Sequence, residues 1–359
     1  MAISRQQKYE SIEKYHKILS PDYPDFLDEY VSLSILQRLE GVGLLCGTDW
    51  TNLYDNNFFY TRLDHSIGTA LVTWHFTHDK KQTLASLFHD VATPAFSHAS
   101  DFRKNDALTQ QTTEELTSEI LTFDSDLAEI NARSGINVCE IRDYHMYPIC
   151  DNGIPRLSSD RLEYMFPSAM ALSKKLPNPT WTLDSVKATY ENIVVLKNEE
   201  GIDELGFESL EVAEDYASKF NDVALILQKN ENKLCLNLIG DILNMAVTKN
   251  IATEADFYNM SEKRLLEEFF DYSVMNPNDE FSTLFETFLK MREIIRSETP
   301  LKNCYCVSLD VKKRYINPLV RTKDGAKRVS EISGTAKDKI ENLLNFKDSK
   351  FGCVKLISY

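Results

Sequence analysis

The pattern of apolar and polar positions follows the period of a helix over most of the chain. Apolar residues recur at helical spacing in eleven segments: 5–20, 25–45, 63–79, 82–90, 108–132, 159–173, 183–198, 207–228, 233–249, 262–272 and 279–297. Shorter helices are predicted at 95–103 and 333–345, whereas residues 48–61 and 136–154 are rich in turn-forming residues and predict irregular structure.

Strand patterns occur only near the C-terminal end, at 303–311 and 351–359. The fold class predicted from this order is mainly α, a helical bundle of about 300 residues followed by a small α+β C-terminal lobe. We expect three parts: a helical domain at 1–200, a helical extension packed on it at 201–300, and the lobe at 301–359.

Composition makes this an ordinary globular chain, with 43% hydrophobic and 26% charged residues among 359. No apolar stretch approaches eighteen residues, and the N-terminal segment is polar, so we expect a cytoplasmic protein without membrane contact. The seven cysteines are irregularly spaced and do not indicate a disulfide framework.

The net charge of −15 disfavours stable binding to nucleic acid, although a nucleotide substrate needs only local cations. Charge is uneven, because residues 301–328, here called the basic segment, carry eight Lys or Arg and two Asp. This segment sums to +6, and the remainder to −21. Two interpretations stay open: ordinary solvated strands, or a surface that binds an acidic second subunit or a regulatory nucleotide. Assembly into a homo-oligomer is therefore also open.

Three of the seven histidines, His65, His89 and His98, lie within 34 residues. His89 is followed by Asp90 at the end of a predicted helix, before a proline-bearing turn. Imidazole nitrogen and carboxylate oxygen are ligands that first-row divalent metals accept. Asp160, which follows a predicted helix start, is the best further candidate. Taken one at a time, these residues could equally be buried histidines paired with carboxylates.

Four sequence motifs carry a family resemblance: LQRL at 36–39, TRLDHSIGTA at 61–70, HDxxxPxFSH at 89–98 and DRLEY at 160–164. In this order they resemble the HD-domain metal-dependent phosphohydrolases, and most closely the deoxynucleoside triphosphate triphosphohydrolase branch. The likeness covers roughly the first 170 residues and continues more loosely to about residue 270. It implies an HD-type helical bundle and one divalent ion, which could be Mn, Fe, Mg, Co, Ni or Zn.

The resemblance also implies roles for individual residues. The metal ligands would be His65, His89, Asp90 and Asp160, and Asp90 would also orient the attacking water. His98 would donate a proton to the leaving oxygen.

Further residues would support the substrate and the proton donor. Asp101 would hold the ring of His98 and raise its pKa. Arg62 and Arg161 would contact phosphate oxygens, and Tyr164 would lie near the sugar and phosphates. Surface ion pairs, a capping histidine and a core tyrosine are the simpler alternatives for these residues.

The chain departs from the family pattern at three places. Thr93 replaces a second histidine, residues 112–115 replace another, and Ser168 replaces an aspartate that reads the sugar. The implied reaction is hydrolysis of a deoxynucleoside triphosphate to deoxynucleoside and triphosphate. The alternatives are a nucleoside mono- or diphosphate phosphatase, an alarmone hydrolase, or a nucleotide sensor or scaffold with weakened catalysis.

Overall fold

The computed structural model describes residues 7–104, 107–108, 116–177 and 181–357. Within them the α-helices are α1 (Ile12–Leu19), α2 (Leu27–Val31), α3 (Ser34–Gln37), α4 (Arg62–Thr77), α5 (Lys80–Phe88), α6 (Ala99–Arg103), α7 (Thr117–Phe123), α8 (Ser125–Ser134), α9 (Ser159–Ala171), α10 (Leu183–Tyr190), α11 (Leu210–Gln228), α12 (Asn230–Thr248), α13 (Asp256–Asn259), α14 (Glu262–Met275), α15 (Glu280–Lys290), α16 (Val329–Ile332) and α17 (Gly334–Asn345).

Short 3₁₀ turns connect several of these helices, at Arg38–Gly41, Thr48–Trp50, Val138–Glu140, Tyr144–Met146 and Ser173–Lys175. The strands are β1 (Ile193–Lys197), β2 (Asp203–Phe207), β3 (Ile295–Ser297), β4 (Cys304–Val307), β5 (Leu319–Thr322), β6 (Gly325–Arg328) and β7 (Phe351–Lys355). The fold is thus mainly α with a strand-containing part, as the sequence predicts.

Local capping fixes the helices that matter most for the site. The Thr61 side chain accepts from the Asp64 amide in a capping box that begins α4. Asp79 caps α5, and Ser158 caps α9 by accepting from the Arg161 amide. The cap at Ser158 places Asp160 in the first turn of α9.

Two predicted helices are wrong at their C-terminal ends. The helix predicted at 183–198 ends at Tyr190, and residues 193–197 form β1, because the β-branched run Ile193–Val195 favours a strand. The helix predicted at 279–297 ends at Lys290, and β3 follows it.

Other differences concern the division or extent of a segment. The helix predicted at 25–45 is divided into α2, α3 and a 3₁₀ turn, and β2 lies where no strand is predicted. The segment predicted as one helix at 108–132 includes 109–115, which lie outside the described residues. Its remainder is split into α7 and α8, because the Asp124 side chain accepts from the Leu127 amide and starts a new helix. In the segment 95–103 only α6 is helical.

The strands form two sheets that join distant parts of the chain. The four-stranded sheet has the order β1-β2-β5-β6, in which β2 and β5 are parallel and the other pairs are antiparallel. The three-stranded sheet is antiparallel with the order β3-β7-β4. Both sheets include residues from each side of the boundary predicted at 300. The three-part division itself stays a prediction.

One hydrophobic core runs from Tyr15 in α1 to Val354 in β7. Within it α4 packs against α5 and α9, while α12 packs against α6, α15, β4 and β7. The C-terminal strands therefore rest on the same helix that supports α6, beside the HDxxxPxFSH segment. Across the described residues no helix combines the length and apolar character needed to cross a membrane.

Candidate metal centre and substrate cavity

Three predicted ligands converge where α4, α5 and α9 meet. Ligand atoms of His65, His89 and Asp160 all lie within 4.8 Å of one another. The His65 Nε2 atom is 3.2 Å from Asp160 Oδ1 and 3.2 Å from His89 Nε2. Both histidines are buried, with 2% and 6% of their surface exposed. This donor set fits a first-row divalent metal.

The other ring nitrogen of each histidine is held by the protein. His89 Nδ1 lies 2.7 Å from the Ser86 carbonyl oxygen, which can only accept, so Nδ1 carries the proton and Nε2 has its lone pair toward the centre. His65 Nδ1 makes a short contact with the carboxylate of Glu163, which is fully buried and also accepts from Tyr60 Oη at 2.6 Å. Such partners orient metal-binding histidines.

Glu163 was assigned no role from the sequence, although it lies in the DRLEY motif. Its position one turn after Asp160 places both carboxylates on the face of α9 that meets α4. Gly68 of α4 allows this approach, because a Cβ atom there would collide with the Glu163 side chain. Burial alone would lower the pKa of His65, but the carboxylates of Glu163 and Asp160 raise it to about 10.

Asp90 lies beside the three ligands but is bound to other groups. Its Oδ2 atom is 3.8 Å from His65 Nε2 and 3.5 Å from His89 Nε2. The same oxygen accepts from Arg62 Nη1 at 2.5 Å, and Oδ1 accepts from Thr93 Oγ1 at 2.9 Å. Burial alone would raise the pKa of Asp90, but Arg62 and the two histidines hold it well below its usual range. Asp90 as a fourth ligand stays a prediction.

The predicted phosphate-binding arginines line the same cavity. Arg62 also donates from Nε to Ser97 Oγ at 2.7 Å. Arg161 forms an ion pair with Asp151 at 3.0 Å and donates to Asn152 Oδ1 at 2.7 Å. Both arginines therefore have partners within the protein, and their binding of phosphate stays a prediction.

The predicted proton-transfer pair is assembled at the start of α6. His98 Nδ1 lies 2.8 Å from Asp101 Oδ2, and Asp101 is fully buried. On the other side of the ring, Arg314 Nη2 lies 3.3 Å from His98 Nε2. Burial lowers the pKa of His98, Asp101 raises it as expected, and Arg314 and Arg62 lower it again. The net shift of the His98 pKa is downward, because burial and the two arginines outweigh Asp101.

One cavity extends from the metal centre past His98 to the C-terminal part of the chain. Tyr164 lines it, and so does Ser168, which stands where the resembled family has an aspartate. Of the five aromatic residues at 48–61, Tyr54 lines it, while Trp50 donates to Glu262 Oε2 at 2.5 Å. Leucine, valine and methionine side chains cover much of the remaining wall: Leu44, Leu45, Met165, Leu172, Val223, Leu227, Leu236 and Val311.

Sequence reasoning missed several residues of the cavity. His145, which has no partner evident in the sequence, lines the cavity, and its Nε2 atom is 3.4 Å from Asp151 Oδ2. Tyr144 packs on His89 with ring centroids 5.1 Å apart. Lys312 and Arg314 line the cavity from the basic segment. No local pattern points to the last two, since they lie about 150 residues after Asp160.

Comparison with known proteins gives the fold of this chain. No family model matches it, and neither does any curated protein sequence. A crystal structure of a phosphohydrolase from Bacteroides thetaiotaomicron VPI-5482 matches with a TM-score of 0.60 and 13% identity, over 94% of this chain and 97% of that one. A hypothetical protein from Aquifex aeolicus matches with a TM-score of 0.56 and 15% identity, over 92% of both chains. The chain shares its fold with these two proteins.

Proposed function

We propose that the protein is a metal-dependent phosphohydrolase that acts on nucleotides, with deoxynucleoside triphosphates as the first candidate substrates. The observation that carries this proposal is the presence, in one cavity, of the metal-ligand cluster His65, His89 and Asp160 and the hydrogen-bonded His98–Asp101 pair. The phosphohydrolase name of one structural neighbour agrees with this assignment.

The ligand cluster would hold one divalent ion. Its fit is supported by the His89 tautomer, whose Nε2 lone pair faces the other ligands, and by the carboxylate that orients His65. A bound ion would supply a water of lowered pKa and would polarise a phosphoryl oxygen. We propose that Asp90, ionised beside Arg62, is a fourth ligand and orients the attacking water.

The remaining residues would bind the substrate and transfer protons. For a deoxynucleoside triphosphate, the water oxygen forms a bond to the α-phosphorus and its proton passes to solvent, while the bond from phosphorus to the 5′-oxygen breaks. His98 gives its Nε2 proton to that oxygen, and the phosphates of the bound substrate favour the protonated ring that this step needs. Arg62 and Arg161 would bind phosphate oxygens, and Tyr164 would lie beside the sugar.

A nucleotide fits the chemistry of the cavity walls. Cations lie around the metal end, and the apolar side chains offer surface for a base and sugar. We propose a nucleotide as the binding partner and no stable binding of nucleic acid. Assembly into a homo-oligomer is compatible with this proposal. A mono- or diphosphate phosphatase or an alarmone hydrolase would use the same ligands.

A second candidate is a nucleotide sensor or scaffold with weakened turnover. It is favoured by Thr93, which stands where the resembled family has a second histidine and is fully buried on Asp90. Its hydroxyl has an ordinary pKa far above neutrality and cannot act as an acid or base as an imidazole does.

Product analysis separates these functions. The purified protein would be stripped of metal, reloaded with Mn, Fe, Mg, Co, Ni or Zn, and incubated with deoxynucleoside triphosphates, mono- and diphosphates and an alarmone. Free triphosphate supports the favoured reaction, while release of orthophosphate alone supports the phosphatase alternative. Tight nucleotide binding without product under every metal would overturn the enzyme proposal in favour of the sensor.

A further inference from the structure

Two cations of the basic segment line the cavity that contains the candidate metal centre. Lys312 and Arg314 line the cavity and are half-buried, whereas Lys313 between them is exposed and donates to the Leu344 carbonyl. This alternation is typical of an extended chain, in which side chains two residues apart point to the same side. The sequence run Lys-Lys-Arg thus presents two charges inward and one outward.

Contacts with distant parts of the chain hold this segment in place. Gln228 Nε2 at the end of α11 donates to the Lys312 carbonyl at 3.0 Å, and the Lys312 amide donates to the Ala107 carbonyl at 3.2 Å. Two residues beyond Arg314, the fully buried Ile316 joins the core. The cations are therefore presented by an anchored backbone rather than by a solvated loop.

Arg314 is directly connected to the proton-transfer pair. A guanidinium group has donors and no acceptor, so the 3.3 Å contact requires His98 Nε2 to accept. The proton of the neutral ring then lies on Nδ1 and is donated to Asp101. In this arrangement Arg314 occupies the nitrogen from which His98 would donate to a leaving oxygen.

We propose that Lys312 and Arg314 are phosphate-binding residues for a nucleoside triphosphate, and that Arg314 exchanges His98 for a phosphate oxygen when the substrate binds. This inference rests on the proposed function. The exchange replaces a hydrogen bond between the Arg314 cation and a neutral ring by one between the Arg314 cation and a phosphate anion, in which both partners are charged. It also releases His98 Nε2, so substrate binding and readiness for proton transfer are coupled.

Binding measurements test this assignment without turnover. Isothermal titration of the Mg²⁺-loaded protein with inorganic tripolyphosphate, orthophosphate and a nonhydrolysable deoxynucleoside triphosphate analogue would compare the parent with three variants: Arg314→Gln, Lys312→Gln and Lys313→Gln. Each variant loses one positive charge, so Lys313→Gln is the matched control. We expect Arg314→Gln to weaken binding of tripolyphosphate and nucleotide about tenfold to a hundredfold, Lys312→Gln about tenfold, and Lys313→Gln less than about twofold.

A conservative variant guards against misfolding. Arg314→Lys keeps the charge and should recover most of the affinity lost in Arg314→Gln, with metal content and melting temperature equal to the parent. If all three glutamine variants lost the same binding affinity, the loss would reflect net charge rather than specific contacts, and the proposal would be overturned. So would unchanged binding in Arg314→Gln and Lys312→Gln, or a parent protein that binds neither tripolyphosphate nor nucleotide.

The outcomes also separate this inference from the proposed function. If the parent binds tripolyphosphate and the variants follow the expected ranking, but no nucleotide is hydrolysed, the phosphate-binding assignment is supported and the enzymatic function is contradicted. If the parent hydrolyses nucleotides and both Arg314→Gln and Lys312→Gln bind them with the parent's affinity, the enzymatic function is supported and the phosphate-binding assignment is contradicted. Preference for orthophosphate over tripolyphosphate would also overturn this assignment, because the proposal assigns the two cations to the phosphates of a nucleoside triphosphate.

Discussion

The two walls of the cavity are built by different means. The metal-side wall consists of side chains on α4, after α5 and on α9, each held by contacts within the helical bundle. The other wall includes Val311, Lys312, Arg314 and Tyr315, on a segment without regular secondary structure. Gln228 and Ala107 hold the backbone of this segment at Lys312. The candidate metal ligands are thus placed by helices of the N-terminal half, whereas Lys312 and Arg314 reach the same cavity from a segment about 150 residues later.

Burial separates the walls further. His65 and His89 are buried together with Glu163, so their replacement disturbs packing and chemistry at once. Lys312 and Arg314 are half-buried on an extended segment, so their replacement should change affinity with little effect on the fold. The following experiments challenge this contrast, from the largest expected effect to the smallest.

Removing a ligand should have the largest effect. Asp160→Ala or His65→Ala should abolish stoichiometric metal and lower the melting temperature of the metal-loaded protein, because a bound ion stabilises the folded state by mass action. Elemental analysis and thermal unfolding with and without chelator would measure both. A full complement of metal in His65→Ala would remove that residue from the coordination shell.

Replacing the proton-transfer histidine should reduce the rate and spare the metal. His98→Gln should lower kcat about a hundredfold to ten-thousandfold, the usual contribution of a general acid, with unchanged metal content. Single-turnover kinetics on the substrate found in the product screen would measure it. An unchanged rate would show that the His98 side chain is structural and only pairs with Asp101.

The Glu163 carboxylate should act through His65 on metal affinity. Glu163→Gln keeps the size of the side chain but removes its charge, and we expect affinity for the metal to fall about tenfold to a hundredfold. Competition with a chelator of known affinity would measure the loss. Glu211→Gln, on the exposed side of α11, is the matched control and should bind metal like the parent. Equal affinities in both variants would contradict the orienting role.

The pH profile should report the contact between the two walls. Burial, Arg314 and Arg62 lower the pKa of His98, Asp101 raises it, and the net shift is downward. If the protonated ring is required, kcat/KM falls as pH rises through that pKa. Arg314→Gln removes a neighbouring cation, which raises the pKa of His98. The fall of kcat/KM should therefore occur at higher pH in this variant than in the parent. A fall at the same pH in parent and variant would show that the two groups are not coupled in solution.

Much of the metal-side wall could be predicted from the sequence because local rules determine it. Capping at Thr61, Asp79 and Ser158 sets where the helices begin, and the i,i+3 spacing joins His98 to Asp101. The family resemblance then supplied what spacing alone leaves open, the assignment of Asp160 to the same centre as His65.

Only the tertiary structure decided the rest. β1 follows from a local β-branched run, but its sheet requires β2 to pair with β5 more than a hundred residues away. The contact of Arg314 with His98 spans 216 residues and depends on how α11 and α12 carry the C-terminal strands back to the bundle. Periodicity and capping act over a few residues, whereas such contacts depend on the packing of the whole core, so a lysine-rich run that looks like solvated surface in the sequence becomes a cavity wall in the fold.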